Sequence, residues 1–348
     1  KITAGYGSTG LNGLVLGNYP WQAPIQANNA TYPFNNVIDV GNGSYYNQIP
    51  NPNMIWETTD QLNIGLSLGL WNNKLTFVAD FYNRKTNDLL LSVPTPGSFG
   101  YNGAGVLANV GSMKNTGLDV QIGYNKTGGE FTWNLTGNLS IVRNKVLKLN
   151  TENASIEAGA DQDFGGNIAI TRTVAGQPIQ SFYGYVMEGI FQSDDEVANS
   201  PVQVAGQTAA GDLKFKDLDG DGFITDADRT FIGNYLPDFS YALNYSARYK
   251  NWDFSLFFQG VQGNDIFNAA RIISEGMARL FGAGTRVLDA WRSDKKDTDM
   301  PRAISGDPNQ NLRVSTRWIE DGSYLRLKNI MLGYNIPANT LRSLTGGA

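Results

Sequence analysis

Cysteine and histidine are both missing from this 348-residue chain. Together the two absences remove thiol nucleophiles, Cys/His zinc sites, haem-ligating histidine and any Ser-His-Asp triad. A chain without cysteine is neutral about redox compartment, because it neither forms disulfides nor risks them. Charge is also sparse: the formal net charge is -5 and Lys and Arg are scattered, so there is no basic footprint for nucleic acid. No run of about 18 apolar residues occurs, which excludes a membrane-spanning helix. It leaves open a membrane-spanning strand, which needs only about 9–11 alternating residues and escapes a hydropathy window.

What is abundant is glycine, at 40 residues, with 17 Phe, 16 Tyr and 7 Trp. Strand surfaces favour aromatics, whereas helical proteins of this size lean on Ala, Leu, Glu and Lys, so an all-β fold is expected. Period-2 alternation predicts three hairpins. In the first, Leu62, Ile64, Leu66, Leu68 and Leu70 share a face, the turn is Trp71-Asn72-Asn73-Lys74, and Leu75, Phe77, Ala79 and Phe81 return. The second presents Leu118, Val120, Ile122 and Tyr124, turns at Lys126-Thr127-Gly128-Gly129, and returns through Phe131, Trp133, Leu135, Leu139 and Ile141. The third runs from Phe239 to Tyr249, turns at Lys250-Asn251 and returns through Trp252, Phe254, Leu256 and Phe258.

A soluble sandwich strand alternates in the same way. Two regularities favour a transmembrane antiparallel β-barrel. Aromatics cluster beside each short turn (Trp71; Tyr124 and Trp133; Tyr249 and Trp252), as rings do at headgroup level. The connections also alternate between tight turns and long polar stretches, Ser92 to Asn115, Leu147 to Pro237 and Gly263 to Thr316. A last strand pair is expected from Trp318 onward, through Ser323-Tyr324-Leu325-Arg326-Leu327-Lys328-Asn329. The opening Lys1-Ile2-Thr3-Ala4-Gly5-Tyr6 already reads as a strand. The strands are too few to close a wide barrel, and an open edge in lipid leaves backbone groups unpaired. The chain is therefore expected to be part of a longer protein, and not to insert as a folded barrel by itself.

The run Asp217 to Asp228 carries the chemistry. Asp217, Asp219 and Asp221 stand at positions 1, 3 and 5 of an EF-hand-type loop, with Gly222 at the sharp turn and Phe223 placed to offer a backbone carbonyl. Ile224 is the apolar anchor, Thr225 can act through water, and Asp228 fills position 12, where a shorter carboxylate replaces Glu. Oxygen-only donors point to Ca²⁺. The alternative is an Asp-Gly turn that binds nothing. Flanking helices are not evident: Gly211 to Phe215 reads as extended, and only Asp226 to Arg229 could start a helical turn. The loop, within a long extracellular region at 148–237, thus suits a staple better than a sensor.

Other clusters are weaker. The run Asp294, Lys295, Lys296, Asp297, Asp299 reads as a solvated loop. Arg326 and Lys328 lie on a strand and are expected to face a polar lumen, where they would pair with carboxylates, the preferred reading, or meet an anionic solute. Acid groups such as Glu57/Asp60 or Asp194/Asp195/Glu196 have nothing that fixes a glycosidase separation, so no enzyme is expected.

Several separated strings then resemble one family, in the right order: Asn51 to Thr59, Phe81 to Leu90, Ala108 to Gly111 with Asn115 to Gly117, Asp217 to Arg229 with Ile232-Gly233, and Trp318 to Asn329. They are similar to the SusC-like branch of TonB-dependent outer-membrane transporters of Bacteroidetes. The resemblance covers nearly the whole chain apart from segments such as Thr151 to Gln180. It implies the later part of a barrel of about 22 strands, with the plug domain and TonB box outside this chain and a location in the outer membrane, in contact with its lipid. It also implies energy from TonB, a SusD-like surface lipoprotein partner, and an oligosaccharide or peptide substrate. The Asp217 loop corresponds to a recurrent acidic loop of the family.

Two functional readings follow. One is nutrient import, with loop aromatics Phe99, Tyr101, Phe182, Tyr183 and Tyr185 either stacking on sugars or, as preferred, packing loop against loop or partner. The other is a non-transporting role, as a calcium-stiffened adhesin or a barrel subunit of a larger surface or secretion assembly.

Overall fold

Successive side chains of a strand point to opposite faces, and here that alternation builds a wall. The structure is a computed structural model that describes residues 1–11, 21–22, 25–34, 37–46, 49–93, 106–149, 154–159, 169–277 and 282–337. In chain order the first strands are β1 (Ile2–Leu11), β2 (Ile25–Phe34), β3 (Val37–Tyr46), β4 (Glu57–Leu70), β5 (Leu75–Val93), β6 (Val106–Lys126) and β7 (Phe131–Lys148). Short strands follow: β8 (Ser155–Ala158), β9 (Thr171–Val174), β10 (Ser181–Gly184), β11 (Met187–Ile190), β12 (Leu213–Phe215) and β13 (Thr230–Gly233). The last are β14 (Phe239–Tyr249), β15 (Trp252–Gln262), β16 (Asp265–Phe267), β17 (Ile319–Asp321) and β18 (Tyr324–Tyr334). Two short helices, α1 (Asp194–Ala198) and α2 (Ala269–Glu275), lie in the connections.

The wall is one antiparallel sheet of eight strands in the order β1-β4-β5-β6-β7-β14-β15-β18. Its registers align the two faces across the seven strands from β4 to β18. Leu68, Phe77, Ile122, Gly137, Leu243, Phe258 and Leu327 are successive cross-strand partners in one apolar row. Gly65, Asp80, Asp119, Ser140, Ser240, Val261 and Tyr324 form a row on the opposite face. The apolar face is exposed: Ile2, Ile64, Ile122, Trp252, Ile330 and Leu332 all show large fractions of their surface. A contiguous exposed apolar face of this extent fits lipid and does not fit water.

The three predicted hairpins are present in the predicted places. Their turns use left-handed backbone at Trp71, Asn72 and Asn73 (φ 53°, 57° and 64°), at Gly128 and Gly129 (φ 93° and 83°), and at Lys250 (φ 52°). Beside them the rings pack across strands into a girdle: Tyr124 on Trp133 at 5.0 Å, Trp133 near Tyr245 at 6.3 Å, and Trp252 on Tyr334 at 4.7 Å.

Two expectations are corrected. Both ends of the stretch from Ser92 to Asn115 are strand, because β5 continues to Val93 and β6 starts at Val106. Bulges between Thr86 and Leu90 shift the register there, which erased the alternation that would have marked it. Asn109 holds the bulge by donating to the Ile55 and Asp88 carbonyls at 2.8 Å each. The segment from Trp318 is not a wall strand pair. Ile319–Asp321 pairs with β16, and only β18 joins the wall.

At the end opposite the tight turns, the described residues of the connections 149–238 and 263–323 fold together into a crown with its own core. Tyr185, Ile190, Leu213, Phe215 and Ile224 are buried together, and Trp291 from the second connection packs against them. A four-stranded sheet, β13-β10-β9-β8, stands beside them. Trp318 is 1% exposed, and its Nε1 donates to the Arg313 carbonyl at 3.0 Å. The described residues of the long region expected at 148–237 therefore form a folded half-domain completed by the next connection.

Candidate functional site

The acidic loop follows directly from β12, whose Leu213 and Phe215 are buried. Gly220 and Gly222 adopt left-handed φ of 77° and 84°, which lets the chain wrap round its own carboxylates. Asp217 accepts from the Gly220 N–H at 2.6 Å and the Gly222 N–H at 2.9 Å. Asp219 accepts from the Asp221 N–H at 3.1 Å, and Asp221 from the Phe223 N–H at 2.7 Å. The backbone donors, first that of Gly222, hold the Asp217 carboxyl below its ordinary range. Ile224 is 6% exposed and roots the loop in the crown core. Tyr185 donates to Asp226 at 3.2 Å, and burial, with Asp226 beside it, pushes its hydroxyl up to about 12.

Asp217, Asp219 and Asp221 come together: one oxygen from each lies within 4.8 Å of the others. Three carboxylates, Asp217 half-buried and the other two exposed, with no soft donor among them suit a hard divalent cation. Asp228 does not join this group. It is fully buried, accepting from the Leu218 N–H and the Thr225 N–H at 2.7 Å each, so it closes the loop from beneath. Phe223 bridges to Val202 in parallel pairing, with its ring exposed. Only the 3₁₀ turn Asp226–Asp228 flanks the loop, with Thr225 and Asp228 forming a capping box.

The remaining predicted groups are structural. Glu57 accepts from the Leu90 N–H at 2.7 Å and Asp60 from Asn87 at 3.2 Å. Glu196 accepts from the Gln192 N–H at 2.8 Å and the Lys214 ammonium at 3.2 Å, and its carboxyl sits below the ordinary range, first because of Gln192. In the charged run, Asp294 and Asp297 are exposed, but Lys295 pairs with Asp289, Lys296 donates to the Gln192 carbonyl at 3.0 Å, and Asp299 pairs with Arg286 at 2.6 Å. The run is the solvated loop that was expected, pinned at Lys295, Lys296 and Asp299. Arg326 faces the polar side opposite Gln259, whereas Lys328 is the extra residue of a bulge between Phe257 and Phe258.

Loop aromatics pack within the crown. Phe182 meets Phe267 at 6.0 Å, Tyr185 meets Phe215 at 5.6 Å, and Tyr183 lies between the Arg172 and Arg229 guanidinium groups at 4.6 and 4.8 Å. Phe99 and Tyr101 lie outside the described residues.

Sequence reasoning missed the buried polar joints of the crown. Gln203 bonds the Leu213 carbonyl at 2.8 Å and Asn309 at 3.0 Å, and its Oε1 receives the Phe215 N–H at 2.6 Å. Glu275, 4% exposed, pairs with Arg271, Arg286 and Arg317 at 3.0, 2.7 and 3.2 Å. Burial raises the Glu275 carboxyl, but the three guanidinium groups outweigh it and leave it below the ordinary range. No periodicity marks such residues, since their partners lie tens of positions away.

Against known proteins, the chain matches over residues 8–348 the family model described as TonB dependent receptor-like, beta-barrel. It is 35% identical over 303 residues to TonB-dependent receptor P3 of Formosa agariphila, covering 86% of this chain and 29% of that protein. It is 28% identical over 349 residues to TonB-dependent receptor SusC of Bacteroides thetaiotaomicron, covering 96% of this chain and 31% of that one. Among solved structures it resembles the RagAB peptide transporter, with a TM-score of 0.75 and 28% identity over 98% of this chain and 35% of that chain. The chain thus spans about a third of the length of the relatives it matches.

Proposed function

Because the chain belongs to the TonB dependent receptor-like β-barrel family, we propose that it forms part of the wall and the extracellular mouth of a TonB-dependent importer of oligosaccharides or peptides. The wall stands in the outer membrane with its apolar face to lipid and its polar face to the lumen, where Asp80, Asp119, Gln121, Asn138 and Gln259 line a concave surface. The observation that carries this reading is the crown. Two connections that would otherwise be mobile loops are fused, by a buried core and buried ion pairs, into a rigid platform at one end of the wall. A platform of this kind suits a SusD-like surface lipoprotein that closes over the mouth. Likeness to SusC and to a peptide importer supports transport, and among the described residues no feature of the wall or crown favours an adhesive or purely structural role. The protein carries cargo and catalyses no reaction.

The acidic loop takes Ca²⁺ on Asp217, Asp219 and Asp221, with the Phe223 carbonyl and water completing the shell. Asp228 sets the loop's shape beneath it. The bound ion neutralises three adjacent carboxylates and stiffens the platform.

The test is uptake of labelled oligosaccharide and peptide mixtures by cells with and without the full-length receptor. Import that disappears on receptor deletion, and on collapse of the proton gradient that drives TonB, is expected. Equal uptake by receptor-positive and receptor-negative cells for both mixtures would sink the proposal.

A further inference from the structure

The registers place a row of lysines where the apolar face of the wall ends. Lys85 on β5 is the direct partner of Lys114 on β6, which is the direct partner of Lys145 on β7. Register is unbroken from Leu75 to Lys85 and from Lys145 back to Trp133. The three side chains therefore share the face of Phe81, Leu118 and Ile141, the lipid face. Lys148, opposite Ser112 just beyond, adds a fourth. Lys85, Lys145 and Lys148 are exposed, and Lys114 is half-buried.

Like charges directly opposite one another destabilise a sheet. Among the described residues, none of the three row lysines has a carboxylate within ion-pair distance. Arg143, one step nearer the tight turns, is already paired with Asp238 at 3.1 Å. Asp60, the cross-strand partner of Lys85, accepts instead from Asn87 at 3.2 Å. Asp60 offsets part of the charge at the β4 end, and the row from Lys85 to Lys145 keeps a net positive charge.

Its height identifies the missing anion. Lys85 lies ten residues beyond Leu75, which starts the strand at the tight-turn girdle. At ~3.3 Å per residue and a strand tilt of ~40°, the row stands about 25 Å above that girdle, matching the ~25 Å height of the lipid-facing band of an outer-membrane barrel. The lysines therefore lie at the headgroups of the outer leaflet, where basic side chains attract anionic lipid.

We propose that Lys85, Lys114 and Lys145 form a binding row for the phosphate groups of an outer-leaflet glycolipid. The inference rests on the outer-membrane reading of the wall. A phosphorylated headgroup spans neighbouring strands, removes the repulsion within the row and fixes the lipid against the wall beneath the crown.

The experiment uses the full-length receptor in maltoside micelles, titrated with phosphorylated lipid A and with its dephosphorylated form. Lys85→Gln/Lys114→Gln/Lys145→Gln is expected to bind phosphorylated lipid A roughly tenfold or more weakly than the unaltered protein. A turn-end control, Lys74→Gln/Lys250→Gln, is expected to bind normally, and the dephosphorylated form weakly to all three proteins. Equal affinity of the triple variant and the unaltered protein overturns the proposal, as does equal binding of the dephosphorylated lipid. Displacement by millimolar inorganic phosphate also overturns it, since the row would then serve a free anion. Heat-modifiable migration is read on each protein: its absence in the unaltered receptor counts against the barrel reading itself. Should the triple variant not fold, Lys114→Gln alone, at the centre of the row, carries the test through a weaker but measurable loss.

Discussion

Asp212 and Arg302 lock together across 90 residues of chain, with Nε donating to Oδ1 and Nη2 to Oδ2 at 2.8 Å each. Asp212 is fully buried, and it belongs to the first long connection while Arg302 belongs to the second. The two-pronged geometry joins the halves of the crown at a fixed angle, and Asn311 adds a third contact to the same carboxylate at 3.1 Å.

Asp212→Ala leaves Arg302 without its partner and empties a fully buried polar site, so a loss of about 3–5 kcal/mol in local crown stability is expected. Hydrogen exchange should rise across residues 187–215 and 300–316 while the wall strands keep their protection. Unchanged exchange in the crown would show that the lock is dispensable.

Glu275 gives a second test of the crown. Glu275→Gln removes the one buried anion facing Arg271, Arg286 and Arg317, at a cost expected to be of similar size, about 3–5 kcal/mol. Because the folded-state carboxyl is held below its ordinary value, its contribution is present above the unfolded pKa and fades as pH falls through the folded one. Crown stability followed by proteolysis should therefore drop in acid for the natural protein and stay flatter for the variant.

Gly184 is a steric joint. A Cβ there would run into the Val314 backbone carbonyl, the acceptor of the Tyr185 N–H at 2.9 Å. Gly184→Ala must part the two connections, with an expected cost of about 1–3 kcal/mol. A crown that melts at the same temperature in the variant would contradict this reading.

In the acidic loop the carboxylates proposed as metal ligands are distinct from the one that serves as scaffold. Asp219→Asn/Asp221→Asn should abolish terbium luminescence and calcium-dependent protease resistance yet leave the loop near its shape without metal. Asp228→Asn should loosen the loop whether or not calcium is added, because its oxygens serve the Leu218 and Thr225 amides. Identical behaviour of the two variants would remove the distinction.

Asp217 predicts an acid response of the same loop. Its lowered carboxyl stabilises the folded loop above the ordinary carboxylate range, and that contribution is lost as pH falls through the folded value. Exchange of the Gly222 amide should accelerate on acidification, and Asp217→Asn should exchange fast at every pH.

The sequence by itself determined the wall. Its information is local: alternation over about ten residues assigns each side chain to lipid or lumen, and glycine, asparagine and lysine at the turns close the hairpins. The turn geometry of the acidic loop was legible for the same reason, since its carboxylates, its glycines and Ile224 lie within twelve consecutive positions. Where bulges break the count, as between Thr86 and Leu90 or at Lys328, alternation lost the strand or no longer assigns a face.

Only the tertiary structure decided the rest. Nothing near Asp212 announces Arg302, nothing near Gln203 announces Asn309, and Lys85, Lys114 and Lys145 are unremarkable until register sets them side by side. A buried charge is tolerable only with its partner in place. That partner is chosen by where the chain returns in space, which no short window of sequence contains.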